Sequence, residues 1–110
     1  MPGITLAGRG AVHYARITLQ DCGYEIERIT GSGRSFDLIA WKKDTLLFLV
    51  IRTARVPGIA GFSDEVLNLS LMVHRHEIPG EIQLWVYHPG GLSRYLVLAG
   101  GAILITGRAL

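Results

Sequence analysis

The sequence predicts a single α/β domain in which a helix, three strands, a second helix and two further strands follow one another, with a possible short last strand. Apolar residues recur at helical spacing in two segments, and apolar runs of strand length lie between and after them. The 110 residues are 49% hydrophobic and 18% charged, which is enough to bury one core. We therefore expect one domain over residues 1–110, without a linker.

The first helix is predicted from four apolar residues that share a face: Ala11, Ala15, Leu19 and Cys22. Gly23 is expected to end it. The opposite edge carries a basic and polar stripe, which consists of Arg9, His13, Arg16 and Gln20. Such a stripe is most often a solvated face, and the alternative is a surface that contacts phosphates.

Three strands are predicted after this helix. The first shows partial alternation, with Tyr24 and Ile26 on one face and Glu25 and Glu27 on the other, before the GSGR segment interrupts it. Two near-continuous apolar runs, FDLIAW at residues 36–41 and LLFLVI at residues 46–51, then flank the polar turn KKDT. Because they are apolar throughout, we expect an antiparallel hairpin of two central strands that are buried on both faces, with Asp37 inside the first of them.

The second helix is predicted over about residues 64–74, because Ser63 can cap it and because Asp64 and Glu65 lie in the first turn, where the helix dipole favours acids. Its apolar residues spread over more than one face, which indicates a helix that is enclosed in the domain or shared with another subunit. The segments EIQLWVYH and SRYLVLA then form strands around the turn PGGL, and AILITG is either the short last strand or a hydrophobic tail.

Charge and cysteine content set further bounds. A net charge of +2 permits contact with phosphates without indicating it strongly. Cys22 is the single cysteine, so an intramolecular disulfide and a cysteine-rich zinc site are excluded, and its simplest interpretation is a buried structural thiol. The sequence shows no cationic start before an apolar run and no apolar stretch of about 20 residues. We therefore expect a cytoplasmic protein with no membrane segment.

Several short motifs, in this order of elements, resemble the PD-(D/E)xK nuclease superfamily, and most closely the small archaeal Holliday junction resolvases. They are GY at residues 23–24, DLIA at residues 37–40 and LVIRTAR, which stands where the family has VEVKTR. The later IQLWVYHPGGLSRYLVL also resembles the paired closing strands of archaeal members. The resemblance implies the restriction-endonuclease-like fold, a central mixed sheet flanked by two helices.

The resemblance also implies a degenerate active site. In active members, an Asp and a Glu hold magnesium and a Lys positions the attacking water; here Asp37, Val50 and Arg52 stand at those positions. Valine offers no side-chain oxygen, and arginine stays charged and accepts no proton. The family's helix acid is missing as well, since Val12 and His13 occupy its region. We therefore expect no catalytic residue, no bound metal and no other cofactor.

Three functions follow as hypotheses. The first is a non-catalytic domain that binds nucleic acid or a partner protein, with five arginines as phosphate contacts: Arg9, Arg16, Arg28, Arg34 and Arg55. The second is a magnesium-dependent endonuclease, for example one that acts on branched DNA, in which an acid has migrated in sequence; the candidates are Glu25, Glu27, Asp64 and Glu65. The third is a structural assembly subunit. A homodimer is expected in any case, because the second helix and the AILI tail present much apolar surface.

One contact follows from strand geometry combined with the resemblance. Val50 and Arg52 share a face of the third strand because side chains alternate along a strand. The family's geometry brings that face to Asp37. Since an unpaired buried carboxylate is costly, we predict an ion pair between Asp37 and Arg52 in place of the metal centre.

Overall fold

The computed structural model describes the backbone of residues 8–110 and the side chains of residues 10–110. The elements are α1 (Gly8–Asp21), β1 (Glu25–Arg28), β2 (Leu38–Lys42), β3 (Thr45–Thr53), a short 3₁₀ turn (Ala60–Phe62), α2 (Ser63–His74), β4 (Glu81–His88), β5 (Gly91–Leu98) and β6 (Gly101–Leu104). The predicted fold class and order of elements are confirmed, and AILITG supplies the short last strand. Neither helix in the described part of the chain is long and apolar enough to cross a bilayer.

The six strands form one mixed sheet in the order β1-β2-β3-β4-β5-β6. All neighbours are antiparallel except β3 and β4, which are parallel. A parallel pair needs a crossover connection, and α2 lies in the segment that makes it. The hairpin predicted around KKDT is the β2–β3 pair, in which Lys42 lies opposite Thr45.

The sheet separates two hydrophobic clusters, because alternate side chains of the central strands point to opposite faces. Leu49, Ile51 and Trp85 belong to the cluster beneath α1, whereas Val50 and Leu84 belong to the cluster beneath α2. The central strands are therefore buried on both faces, as the apolar runs predicted.

The end of α1 corrects one prediction. The helix ends at Asp21, and Gly23, with a φ of 91°, turns the chain so that the Tyr24 N–H donates to the Leu19 carbonyl at 3.1 Å. Cys22 follows the helix, and its side chain is exposed. The prediction of a buried thiol is wrong because the helix ends before residue 22 and does not carry it onto the apolar face.

The start of α2 corrects a second prediction. Ser63 is the first residue of the helix, Phe62 stands at the capping position, and no side chain caps the helix. The Ser63 hydroxyl instead donates a hydrogen bond to the Ala60 carbonyl at 3.0 Å. Ser63 is not a cap because the 3₁₀ turn runs directly into α2, so that residue 63 is already helical. The predicted acids, Asp64 and Glu65, do lie in the first turn.

Candidate functional site

Asp37 is held by main-chain bonds on both sides at the entry to β2. It lies one residue before the strand, not inside it as the sequence predicted. Its N–H donates to the Leu49 carbonyl at 2.8 Å, and its own carbonyl accepts from the Ile29 N–H at 2.9 Å. Asp37 is only 4% exposed. These main-chain bonds fix the backbone position of Asp37, although β2 itself begins at Leu38.

Three donors converge on the Asp37 carboxylate. The Ile51 N–H donates to Oδ2 at 2.8 Å, Arg52 Nη1 donates to Oδ2 at 3.0 Å, and Arg34 Nε donates to Oδ1 at 3.2 Å. The ion pair predicted between Asp37 and Arg52 is thus confirmed. Arg34 is a second cationic partner of Asp37, whereas the sequence analysis predicted that it contacts phosphate. The sequence feature that could have indicated this pair is the position of Arg34, at the end of the GSGR segment and three residues before Asp37.

Arg52 extends this arrangement to the second helix. Its Nη2 lies 2.7 Å from Glu65 Oε2, and its Nε donates to Glu65 Oε1 at 3.1 Å. This is the two-pronged contact that a guanidinium makes well with a carboxylate. Arg34, Asp37, Arg52 and Glu65 together form a chain of alternating charge, which we call the ion-pair cluster. Its two guanidinium and two carboxylate groups carry no net formal charge.

Val50 lies beside the cluster on the α2 side of β3. Val50 is 1% exposed and packs in the same apolar cluster as Leu69 and Leu84. A cavity of about 350 Å³ opens over Val50, and its lining includes Arg34, Arg52 and Glu65. The degenerate-site positions predicted from the sequence, Asp37, Val50 and Arg52, are therefore neighbours in space.

The residues at this site do not fit the magnesium site that the fold family implies. Both Asp37 oxygens already accept hydrogen bonds from guanidinium groups, and Val50 offers no oxygen. On α1, Val12 is buried and His13 is exposed, so no acid stands at that position either. In the described residues, no three His, Cys, Asp or Glu side chains are grouped so that they could hold a metal ion.

The four candidate migrated acids have different positions. Glu65 enters the ion-pair cluster through Arg52. Glu25 instead lines a separate groove, together with Trp41 and Lys43. Glu27 and Asp64 are exposed.

Three of the predicted phosphate contacts lie at the same end of the sheet as the cluster. Arg28 ends β1 opposite Leu38, Arg34 lies in the following loop, and Arg55 is exposed just beyond the end of β3, which runs antiparallel to β2. Arg16 lies on α1, half-buried, with Nη2 3.5 Å from His13 Nδ1. Arg9 is within α1, but its side chain lies outside the described residues.

A search of the solved structures finds a match over most of the chain. The structure of Hjc, a Holliday junction resolvase from the archaeal hyperthermophile Archaeoglobus fulgidus, matches with a TM-score of 0.65 at 17% sequence identity. The two chains share a fold. The match covers 91% of this chain and 88% of that chain, which confirms the predicted fold. No protein-family model matches the chain, and no curated protein matches it.

A polar relay on the α1 side of the sheet, buried at Trp85 and Gln83 and exposed at Arg108, was not predicted from the sequence. Trp85 Nε1 donates to Gln83 Oε1 at 2.8 Å, Gln83 Nε2 donates to Glu81 Oε2 at 2.5 Å, and Arg108 Nη2 contacts both Glu81 oxygens at 2.8 and 2.9 Å. Burial lowers the pKa of the neighbouring Arg94, and the charge of Arg108 lowers it further. The relay ties the segment after β6 back to β4, and we assign it a structural role.

Proposed function

We propose that this protein is a nuclease-like domain that keeps the resolvase fold and binds nucleic acid without cleaving it. The observation that carries the proposal is the state of Asp37. Its carboxylate, at the position of a family metal ligand, is occupied by Arg34 and Arg52. Val50 leaves the second ligand position without an oxygen.

The chemistry of the cluster supports binding better than hydrolysis. Cleavage of a phosphodiester needs a group that activates water and a charge that stabilises the transition state. Arg52 stays protonated and cannot act as a base. The side chains of Arg52 and Arg34 are 37% and 41% exposed and line the cavity, so both can contact an anion while they hold Asp37.

The surrounding arginines supply the positive charge that the neutral cluster lacks. Arg28 and Arg55 are exposed at the same end of the sheet. Phosphate contacts of this kind give affinity without sequence preference and make it depend on salt. Because the matching structure is that of a Holliday junction resolvase, a four-way DNA junction is the first ligand to test, with duplex and single-stranded DNA beside it.

The test is fluorescence anisotropy with labelled DNA of each form, together with gel analysis of the same DNA after incubation with magnesium. We expect binding that weakens steeply with salt, and intact DNA. Replacing Arg28 and Arg55 with glutamine should weaken binding and reduce the salt slope by about 0.9 for each duplex phosphate that is no longer neutralised. The matched control is Lys43→Gln, since Lys43 is exposed in the β2–β3 turn at the opposite end of the sheet. Absence of binding at low salt, or an unchanged slope in the arginine variant, would contradict the proposal.

The magnesium-dependent endonuclease is the second candidate because Glu65 has entered the cluster. This function predicts that the protein cleaves DNA in the presence of magnesium and that the Glu65→Gln variant does not. The gel analysis described above detects such cleavage directly.

The expected cytoplasmic location stays a prediction.

A further inference from the structure

The cavity over Val50 contains more than the ion-pair cluster. Its volume of about 350 Å³ lies within the range of about 300–1,000 Å³ that is typical of pockets for small organic groups. Besides the charged groups, five residues line it: Ser35, Val50, Asn68, Leu69 and Met72. The phosphate contacts proposed above use none of these five side chains.

Helix α2 supplies one wall of the cavity. Its four lining residues have the spacing i, i+3, i+4 and i+7 and therefore share one stripe of the helix: Glu65, Asn68, Leu69 and Met72. The opposite stripe carries Leu67 and Leu71, which are exposed. Of the two expectations for α2, enclosure within the domain is therefore wrong, and a helix shared with another subunit stays a prediction.

The cavity combines an apolar wall with neutral polar groups. Val50, Leu69 and Met72 form the wall and belong to the hydrophobic cluster beneath α2. Ser35 and Asn68 are exposed, and a hydroxyl and an amide can each donate and accept hydrogen bonds. The ion-pair cluster on the remaining side carries no net formal charge. The cavity therefore fits a group that is apolar on its faces and polar, but uncharged, at its edge.

A nucleobase is such a group, whereas a phosphate is not. A phosphate has no apolar surface and would leave the wall in contact with water. A base has two apolar faces, and its edge carries hydrogen-bond donors and acceptors. In paired DNA the faces are covered by stacking and the edge by the opposite base, so only an unpaired nucleotide offers both. Adenine presents a donor and an acceptor side by side, which is the pair of groups that an asparagine amide recognises.

We propose that the cavity over Val50 binds one unpaired nucleobase, with adenine preferred, of a strand whose phosphates contact Arg28 and Arg55. This proposal rests on the proposed function, since it requires that the protein binds nucleic acid. It adds that the protein selects DNA by an unpaired nucleotide. The arginines then supply affinity, and the cavity supplies the selection.

The test is fluorescence anisotropy with three duplexes of the same sequence. One is fully paired, one carries a single bulged adenine, and one carries an abasic nucleotide at the same bulge. The abasic bulge keeps the phosphates and the local flexibility but lacks the base. We expect the adenine bulge to bind about tenfold more tightly than the abasic bulge. The salt slopes of the two should be equal, because the phosphate contacts are the same.

A fluorescent base reports entry into the cavity directly. 2-Aminopurine at the bulge is quenched while it stacks on neighbouring bases. Among the described residues, those that line the cavity include no aromatic side chain that could replace this stacking. Its emission should therefore rise when the protein binds. Unchanged or reduced emission would overturn the proposal, because the base would then remain stacked.

Asn68→Leu removes the amide and keeps the size of the side chain. Because Asn68 is exposed, we expect the fold to be retained, which circular dichroism checks. The variant should reduce the advantage of the adenine bulge about threefold or more and leave binding of the abasic bulge unchanged. The matched control is Gln20→Leu, since Gln20 is an exposed amide on α1, over the other face of the sheet. That control should leave the advantage unchanged.

The outcomes distinguish this proposal from the proposed function. Equal, salt-dependent binding of the adenine and abasic bulges would overturn the cavity proposal and leave nucleic-acid binding intact. An adenine advantage that Asn68→Leu does not reduce would also overturn it, because the base would then be bound elsewhere. Absence of binding to all three duplexes at low salt would overturn the proposed function and this proposal together.

Discussion

Replacing Asp37 with alanine removes the acceptor that three donors share, and we expect the free energy of unfolding to fall by about 2–4 kcal/mol. The buried Ile51 N–H would lose its carboxylate acceptor, which costs about 1–3 kcal/mol. Arg34 and Arg52 are 41% and 37% exposed, so each ion pair adds only about 0–1 kcal/mol after solvent screening. Together these contributions span about 1–5 kcal/mol, and the central part of that range, about 2–4 kcal/mol, lies below the ~3–5 kcal/mol typical of breaking a fully buried pair.

Asp37→Asn separates the two contributions. The amide retains an oxygen that can accept from the Ile51 N–H, whereas the charge that attracts both guanidinium groups is lost. We expect about half the loss that alanine causes. At about 1 M salt the electrostatic screening length is about 3 Å. The decrease in unfolding free energy caused by Asp37→Asn should then become smaller, whereas most of the decrease caused by Asp37→Ala should remain.

The assay is urea unfolding followed by circular dichroism, with Asp21→Ala as the control. Asp21 is exposed at the end of α1, and its replacement should change stability by no more than about 0.5 kcal/mol. A double-mutant cycle with Arg52→Met should give a coupling of at least about 0.5 kcal/mol. If Asp37→Ala is as stable as the wild type, the carboxylate is not paired in solution. If magnesium stabilises the wild type and Asp37→Asn abolishes that effect, the ion-pair cluster gives way to a metal site.

Three further predictions follow from single contacts. The double variant Val50→Glu and Arg52→Lys restores the family's residue types, and we expect it to gain a magnesium-dependent rise in melting temperature that the wild type does not show. Gly80→Ala should lower the melting temperature, because a β-carbon there would lie 2.6 Å from the Leu46 carbonyl oxygen, and a wild-type melting temperature would refute the close contact. Tyr87 carries a buried hydroxyl without a hydrogen-bond partner in the described residues, and burial raises its pKa. Tyr87→Phe should therefore leave the free energy of unfolding in urea unchanged or increase it. A large decrease would show that the hydroxyl has a partner in solution.

The sequence was most informative where a pattern depends on local geometry. Continuous apolar runs identified the central strands, and alternation put Val50 and Arg52 on one face. The pair between Asp37 and Arg52 followed from that alternation and the family resemblance. The strand predictions needed only the length, apolar content and period of a strand, whereas the ion pair also needed the family's geometry.

Contacts set by the placement of whole elements were not predictable in the same way. Glu65 reaches Arg52 because of where α2 packs on the face of the sheet. No local sequence pattern predicts that position. Arg34 reaches Asp37 through the conformation of a glycine-containing loop. Cys22 and Ser63 were misplaced by one residue at helix ends, where the competing turn decides the outcome.

The mutual satisfaction of the ion-pair cluster also bears on how such a site changes through mutation. Val50→Glu alone would introduce a third acid where two guanidinium groups already balance two carboxylates. Arg52→Lys alone would lose the two-pronged contact with Glu65, because an ammonium group cannot reproduce a fork. We therefore expect each of these single substitutions to lower the stability of the fold, because no bound cation compensates for the change. On this expectation the ion-pair cluster persists without selection for any reaction, since both single variants are less stable than the present chain.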